Sequence, residues 1–412
     1  MTHTCGAANA KVLEKEDTGR AKEPSIVINS TDRSYFMKSY VAGLVLLALP
    51  CVLPVLAQER QNFVFNPSTP EGQILQSLGQ EPDDARKVSL GQDFLAKYPK
   101  HEAAGWVAAQ LESGLLGQKE YDKVLDVAEM SYENSPDMDA TYYALKAAVA
   151  KEDIEQTKKW SARTSEVARK NISTAKAPTD DEGKQQLEYA KQVDEYSEYA
   201  LYVVALKAPP KEEVDLVDTL IKQNPKSQYL SEVANSYFAA LAKAGEGSKA
   251  CPAAERMAVD KNAEAMLYSA DCSWRGNHAD RVISYAAKAS EAASTRAKRE
   301  GASESEWAAQ KAALLGTANF YTGVGYTMEM RYGPANKALR AALPSIKGNS
   351  QLYAIALFDL GLANYSLGKP IGDKAQMREG LHYFQESAGI SSPMQDQASR
   401  NAKLVLTELG GK

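Results

Sequence analysis

The stretch GLANYSLG, Gly361 to Gly368, restates an earlier one, GTANFYTG, Gly316 to Gly323, which begins 45 residues before it. In each copy a Leu (Leu315, Leu360) precedes the first Gly, an Asn (Asn319, Asn364) follows three residues after it, and a second Gly closes the octet. Either the chain repeats a structural unit, or it uses a glycine-flanked ligand loop twice. A phosphate loop needs a strand before it and a turn whose amides point at the anion. Here Tyr353, Leu357 and Leu360, continued by Asn364, recur at a spacing near 3.6, the period of a helix with one buried face. The octets therefore read as helix, and the interval between them as a unit length.

Composition points the same way. The chain has 412 residues, 25% charged and 44% hydrophobic, rich in Ala, Leu, Lys, Glu, Gln and Tyr and poor in β-branched alternation, a mix that favours helices. A net charge of −5 argues against the basic surface that nucleic-acid binding requires. Beyond residue 57 the histidines are His101, His278 and His382. They stand alone, with no Cys/His ligand cluster, so neither a metal nor a small-molecule cofactor is expected. Asp180, Asp181 and Glu182 read as a solvated loop between helices. Tyr196, Tyr199 and Tyr202 wind round one helix and read as core packing before a binding row, and Trp106, Trp160, Trp274 and Trp307 as filler between helices.

The N-terminus carries a targeting pattern. Residues 37–57 hold one Lys, an apolar run from Val41 to Ala57 and compact residues at the positions a signal peptidase reads, which resembles a secretory signal peptide. An uncleaved anchor is the minor alternative, since the run lies at the lower limit for spanning a bilayer. Pro50 before Cys51 argues against a lipid anchor. Residues 1–36 read as a disordered lead or a start-site artefact, and 58–68 as a linker. Removing residues 1–57 takes six Lys/Arg and five Asp/Glu from totals of 48 and 53, leaving a net charge of −6. Cys251 and Cys272 then remain, in a compartment that permits disulfides. On antiparallel helices joined near Asp260 they stand about 5 Å out of level at about 1.5 Å per residue. That leaves both a bridge and two buried thiols open.

From Thr69, a cap followed by Pro70 at the first helical position, the pattern is helix, short turn, helix. Prolines punctuate it at Pro99, Pro136, Pro225, Pro344 and Pro393, read as helix stops, with Ser135 and Ser392 as caps of the helices that follow. Leu360, Gly361 and Gly368, followed by Phe384, Ala388 and Pro393, resemble the first and second helices of a tetratricopeptide repeat, with Tyr365 one position off the family's aromatic. Leu315, Gly316, Phe320 and Gly323, then Ala338, Ala342 and Pro344, form another copy, and Trp106, Gly117, Tyr121, Ala128 and Pro136 a more degenerate one.

The resemblance to an exported, bacterial-type tetratricopeptide protein implies an all-α fold, a right-handed superhelical solenoid of antiparallel helix pairs. The array would run over 69–393, with 394–412 as a C-terminal cap. Gly316 and Gly361 would permit close helix packing, Gly323 and Gly368 would end the first helices in the left-handed conformation, and Phe384 would fill the second helix. The implied function is a non-enzymatic scaffold of the cell envelope, periplasmic or extracellular. It would hold a peptide or protein segment in the concave groove, with Asn319 and Asn364 as candidate partner contacts. An envelope-assembly or carbohydrate-processing enzyme with convergent carboxylates is one alternative, and a self-associating structural component another.

Overall fold

A computed structural model describes residues 65–175, 180–259, 261–298 and 301–410. The readings of residues 1–36, of the apolar segment 37–57 and of most of the linker lie outside them. The described residues form seventeen α-helices and no strand, and they divide into two compact units, 65–247 and 248–410. The fold is all-α, as the periodicity requires.

The first unit holds α1 (Pro70–Gln80), α2 (Asp84–Lys97), α3 (Ala104–Gly117), α4 (Tyr121–Tyr132), α5 (Met138–Ala150), α6 (Ile154–Thr174), α7 (Asp181–Ala205), α8 (Pro210–Gln223) and α9 (Tyr229–Lys243). The second holds α10 (Ala250–Met257), α11 (Ala263–Arg275), α12 (Ala279–Thr295), α13 (Glu304–Met328), α14 (Tyr332–Ile346), α15 (Ser350–Gly368), α16 (Lys374–Ala388) and α17 (Gln395–Glu408). No described helix is long and apolar enough to cross a membrane.

Within each unit every helix packs on the next, and odd-numbered helices also pack on each other: α3 on α5, α5 on α7 and α7 on α9, then α11 on α13, α13 on α15 and α15 on α17. The odd helices thus make one continuous layer in each unit. Among even helices, α6 and α8 make a comparable contact. Here Ser161 Oγ donates to the Ser197 carbonyl at 2.8 Å and meets Gln223, while Arg169 reaches Asp194 and donates to the Gln223 carbonyl at 2.9 Å.

One backbone turn recurs at the ends of odd helices. After α3, the Lys119 amide donates to the Leu116 carbonyl and the Glu120 amide to that of Leu115. The same pair of bonds follows α5 at Glu152 and Asp153, α9 at Gly245 and Glu246, α11 at Asn277 and His278, and α13 at Met330 and Arg331. It also follows the 3-10 turn that extends α15, at Gly372 and Asp373. The first residue of each pair is left-handed, with φ from 54° at Glu152 to 76° at Gly245. This closure satisfies carbonyls that the last helical turn leaves without partners. Residues 119 and 152 stand 33 apart, and 245 and 277 stand 32 apart.

Four of these six positions are not glycine, and a Cβ in the left-handed region costs about 1–2 kcal/mol. Met330 (φ 58°) is also exposed. Met330→Gly is therefore expected to stabilise the chain by about 1 kcal/mol in urea titration. Glu152→Gly should do the same and Asn277→Gly less, because Asn tolerates this region. A loss of stability at all three would contradict the strain.

Several helix ends differ from the sequence reading. Gly323 lies inside α13 and Gly368, the last residue of α15, has φ −78°, so neither takes the left-handed conformation. Pro344 is no stop. It sits on the exposed side of the last turn of α14, where only one intrahelical bond is forgone. The caps after Pro136 and Pro393 are Asp137, which accepts from the Ala140 amide, and Met394, not the preceding serines. Asp180 is the N-cap of α7 and Asp181 and Glu182 form its first turn, where acid suits the helix dipole. Thr69 caps α1, with Pro70 at its first position.

Candidate functional site

The octets lie on odd helices, and their glycines mark where helices touch. A Cβ on Gly361 would stand 2.6 Å from the Phe384 ring, and one on Gly380 would stand 2.9 Å from the Gly361 carbonyl oxygen. Helices α15 and α16 therefore meet backbone against ring at Gly361 and backbone against backbone at Gly380, with Phe384 sealed between them. Gly316 meets Ser345 in the same way, where an added Cβ would lie 2.2 Å from the serine Cβ. Gly323 meets Leu339 at 2.5 Å, and Gly368 the Asp373 carbonyl at 2.9 Å. The second glycine of each octet is thus a packing residue like the first. Each helix continues through it until the turn at Met330 or Gly372 stops the run.

The two asparagines do not share an environment. Asn364 is 1% exposed, its amide nitrogen donates to the Leu360 carbonyl at 2.8 Å, and its Oδ1 is sealed without a partner. A peptide on the surface has no access to it. Asn319 is half-buried on α13.

A larger feature sits in the first unit. Tyrosines from three successive odd helices make a continuous row. Tyr142 of α5 meets Tyr196 of α7 with ring centroids 5.0 Å apart, Tyr196 meets Tyr199 at 5.9 Å, and Tyr199 meets Tyr229 of α9 at 5.8 Å. Tyr202 stacks on Tyr229 at 5.2 Å. Tyr142, Tyr196, Tyr199 and Tyr229 are half-buried, whereas Tyr202 belongs to the core. Among the described residues the hydroxyls of Tyr142, Tyr196 and Tyr199 have no hydrogen-bond partner, yet none is sealed from solvent. Burial pushes the Tyr142, Tyr196 and Tyr229 hydroxyls up from their ordinary range, and carboxylates push two of them further, Asp139 acting on Tyr142 and Glu195 on Tyr229. The hydroxyls stay protonated and able to donate. Tyr189 spends its own on Asp139, and the Lys146 ammonium lies 5.1 Å from the centre of the Tyr142 ring. The sequence displayed Tyr196, Tyr199 and Tyr202 together but not Tyr142 or Tyr229, which only folding brings beside them.

Two buried acids without an ion-pair partner among the described residues were also missed, both on odd helices. Glu112 of α3 is 0% exposed, neither carboxylate oxygen has a hydrogen-bond partner, and burial, then Asp137, pushes its carboxyl well above the usual range. Asp359 of α15 is 7% exposed, and burial alone pushes it up to about 8. Each is the single charged residue in a helix that is otherwise apolar or neutral all round, which was the signal present in the sequence.

In the second unit Asp271 of α11 receives a hydrogen bond from Tyr321 of α13 at 3.1 Å and pairs with Arg275 at 2.9 Å. Arg275 Nη2 also lies 3.4 Å from Cys272 Sγ, and Cys272 is bonded to Cys251. The cysteine Cα atoms are 5.8 Å apart. The bridge, one of the two arrangements the sequence left open, is therefore made. Among the described residues no three His, Cys, Asp or Glu side chains group to hold a metal ion.

No protein-family model matches the chain, and no curated protein matches its sequence. Function is therefore read from the odd-helix layer and the groups it carries.

Proposed function

We propose that the chain is an exported, non-enzymatic interaction scaffold. Its helices would form a right-handed solenoid of antiparallel, tetratricopeptide-like pairs, and its odd helices would present a groove to a protein or peptide segment. The observation that carries this reading is the packing of odd helix on odd helix in each unit, with the same left-handed turn after six of them. Such a layer repeats one surface at regular intervals, which suits an extended partner. The Cys251–Cys272 bond favours an oxidising compartment and hence export. The enzyme alternative calls for carboxylates converging in a cleft. Asp359 feels no second charge, and Asp137, the neighbour of Glu112, is engaged as the cap of α5.

A photo-crosslinking residue placed at Tyr199 or Asn319, on odd helices, is expected to trap a protein partner from an envelope fraction. The same residue at Lys123 of α4 or Lys337 of α14 is expected to trap none. Equal trapping from even helices would remove the odd layer as the recognition surface. Trapping of a second copy of the chain would favour the self-associating alternative.

A further inference from the structure

We propose that the tyrosine row of α5, α7 and α9 docks an extended segment carrying Arg or Lys side chains. This rests on the reading of the odd helices as the recognition layer, and it adds the chemistry of the partner.

Three observations fix that chemistry. The hydroxyls of Tyr142, Tyr196 and Tyr199, on half-buried side chains, have no hydrogen-bond partner among the described residues and are not fully sealed, so they can donate to the carbonyls of a chain laid across them. The charges along the row are mostly acidic. Asp139 stands at the Tyr142 end, Glu195 at the Tyr229 end, and Glu188 and Glu232 are exposed on the same helices. Of the basic residues on these helices, Lys146 lies over the Tyr142 ring, Lys191 pairs with Glu188 at 3.5 Å, Lys184 pairs with Asp181 at 3.0 Å at the start of α7, and Lys243 is the last residue of α9. Lys146 also demonstrates that a ring of this row accepts a cation, an attraction that grows as water is excluded.

The alternatives fit less well. A sugar stacks on a flat ring with a free face, whereas these rings turn edge to face, tilt or stack on one another, at 76° between Tyr142 and Tyr196 and 21° between Tyr202 and Tyr229. An acidic segment would meet like charge at both ends of the row. The ring-to-ring steps of 5.0, 5.9 and 5.8 Å make a strip that about five extended residues cover, at about 3.3 Å each. Alternate side chains of that segment would then face the row.

The test uses the full chain and two labelled octapeptides, one alternating Arg and Gly and the other Glu and Gly, followed by fluorescence anisotropy. The Arg peptide is expected to bind with an affinity that falls as salt is added, and the Glu peptide not to bind. Glu195→Lys, at an exposed position, should weaken the Arg peptide about tenfold, the result of turning one attraction into a repulsion. Tyr196→Phe with Tyr199→Phe keeps the rings and removes two donors, and should weaken it several-fold with the thermal midpoint unchanged. Absence of Arg-peptide binding, equal binding of the Glu peptide, or binding that both variants leave intact would overturn the proposal. Crosslinks from Tyr199 to a partner segment without basic residues would also overturn it, while leaving the scaffold reading in place.

Discussion

Asp359→Asn is expected to leave stability nearly unchanged at pH 4 and to raise it by on the order of 4–6 kcal/mol at pH 9. Asp359 is 7% exposed, no described residue hydrogen-bonds to its carboxyl, and burial alone lifts that group from 3.8 to about 8. Its folded value lies above its unfolded one, so the native state holds the proton more tightly. The contribution is complete below about pH 4 and is lost as pH rises toward 8, where the unfolded chain is already ionised and the buried acid must follow. Asparagine keeps the shape and cannot ionise, so the variant escapes that loss. Domain stabilities run at about 5–15 kcal/mol, so a difference of this size decides whether the second unit is folded at alkaline pH. Urea titrations of both proteins at pH 4 and pH 9 measure it. A gap that does not widen with pH would mean that the carboxyl is solvated or paired.

The helical character of the chain was legible because a one-sided apolar stripe at a spacing near 3.6 matches the turn of an α-helix and not the two-residue alternation of a strand. The octets marked the right elements, since Gly316 and Gly361 sit where α13 and α15 meet their neighbours. The stops were not legible. The turn that ends six of the odd helices is built from backbone bonds, and Lys119, Glu152, Asn277 and Met330 also occupy it, at a cost in strain that Gly245 avoids. A search for glycine therefore selected Gly323 and Gly368, which are packing residues. Asn364 illustrates the same limit. Its spacing after the signature glycine matched that of Asn319, but the helix all round it is apolar and buried, so the side chain turns back on its own backbone. The tyrosine row was half visible, because ring neighbours on different helices leave no trace in a linear pattern. Glu112 and Asp359 were visible as lone charges in apolar helices, but nothing in the sequence separated a buried acid from one at the surface.

Glu112 yields the second large effect, and two substitutions separate its causes. Both carboxylate oxygens are sealed without a partner, and the residue is 0% exposed. Burial of this kind costs about 1–3 kcal/mol for a neutral polar group in protein mutational data, and more for a charged one. Glu112→Gln removes ionisation while keeping polar atoms, so it should match the parent chain in acid and become more stable than it as pH rises. Burial first, and the charge of Asp137 second, raise the Glu112 carboxyl, so its stabilising contribution is present below the unfolded pKa of about 4.3 and declines above it. Glu112→Met also removes the unpartnered atoms at similar volume, and should gain about 1–3 kcal/mol in acid and more at neutral pH. Asp137→Asn, which keeps an N-cap for α5, should reduce the pH dependence of the parent, because it removes the second of the two causes. If Gln and Met both destabilise the chain at every pH, Glu112 has a partner that matters, and an acid placed at the heart of the odd layer would then have to be counted among its functional groups.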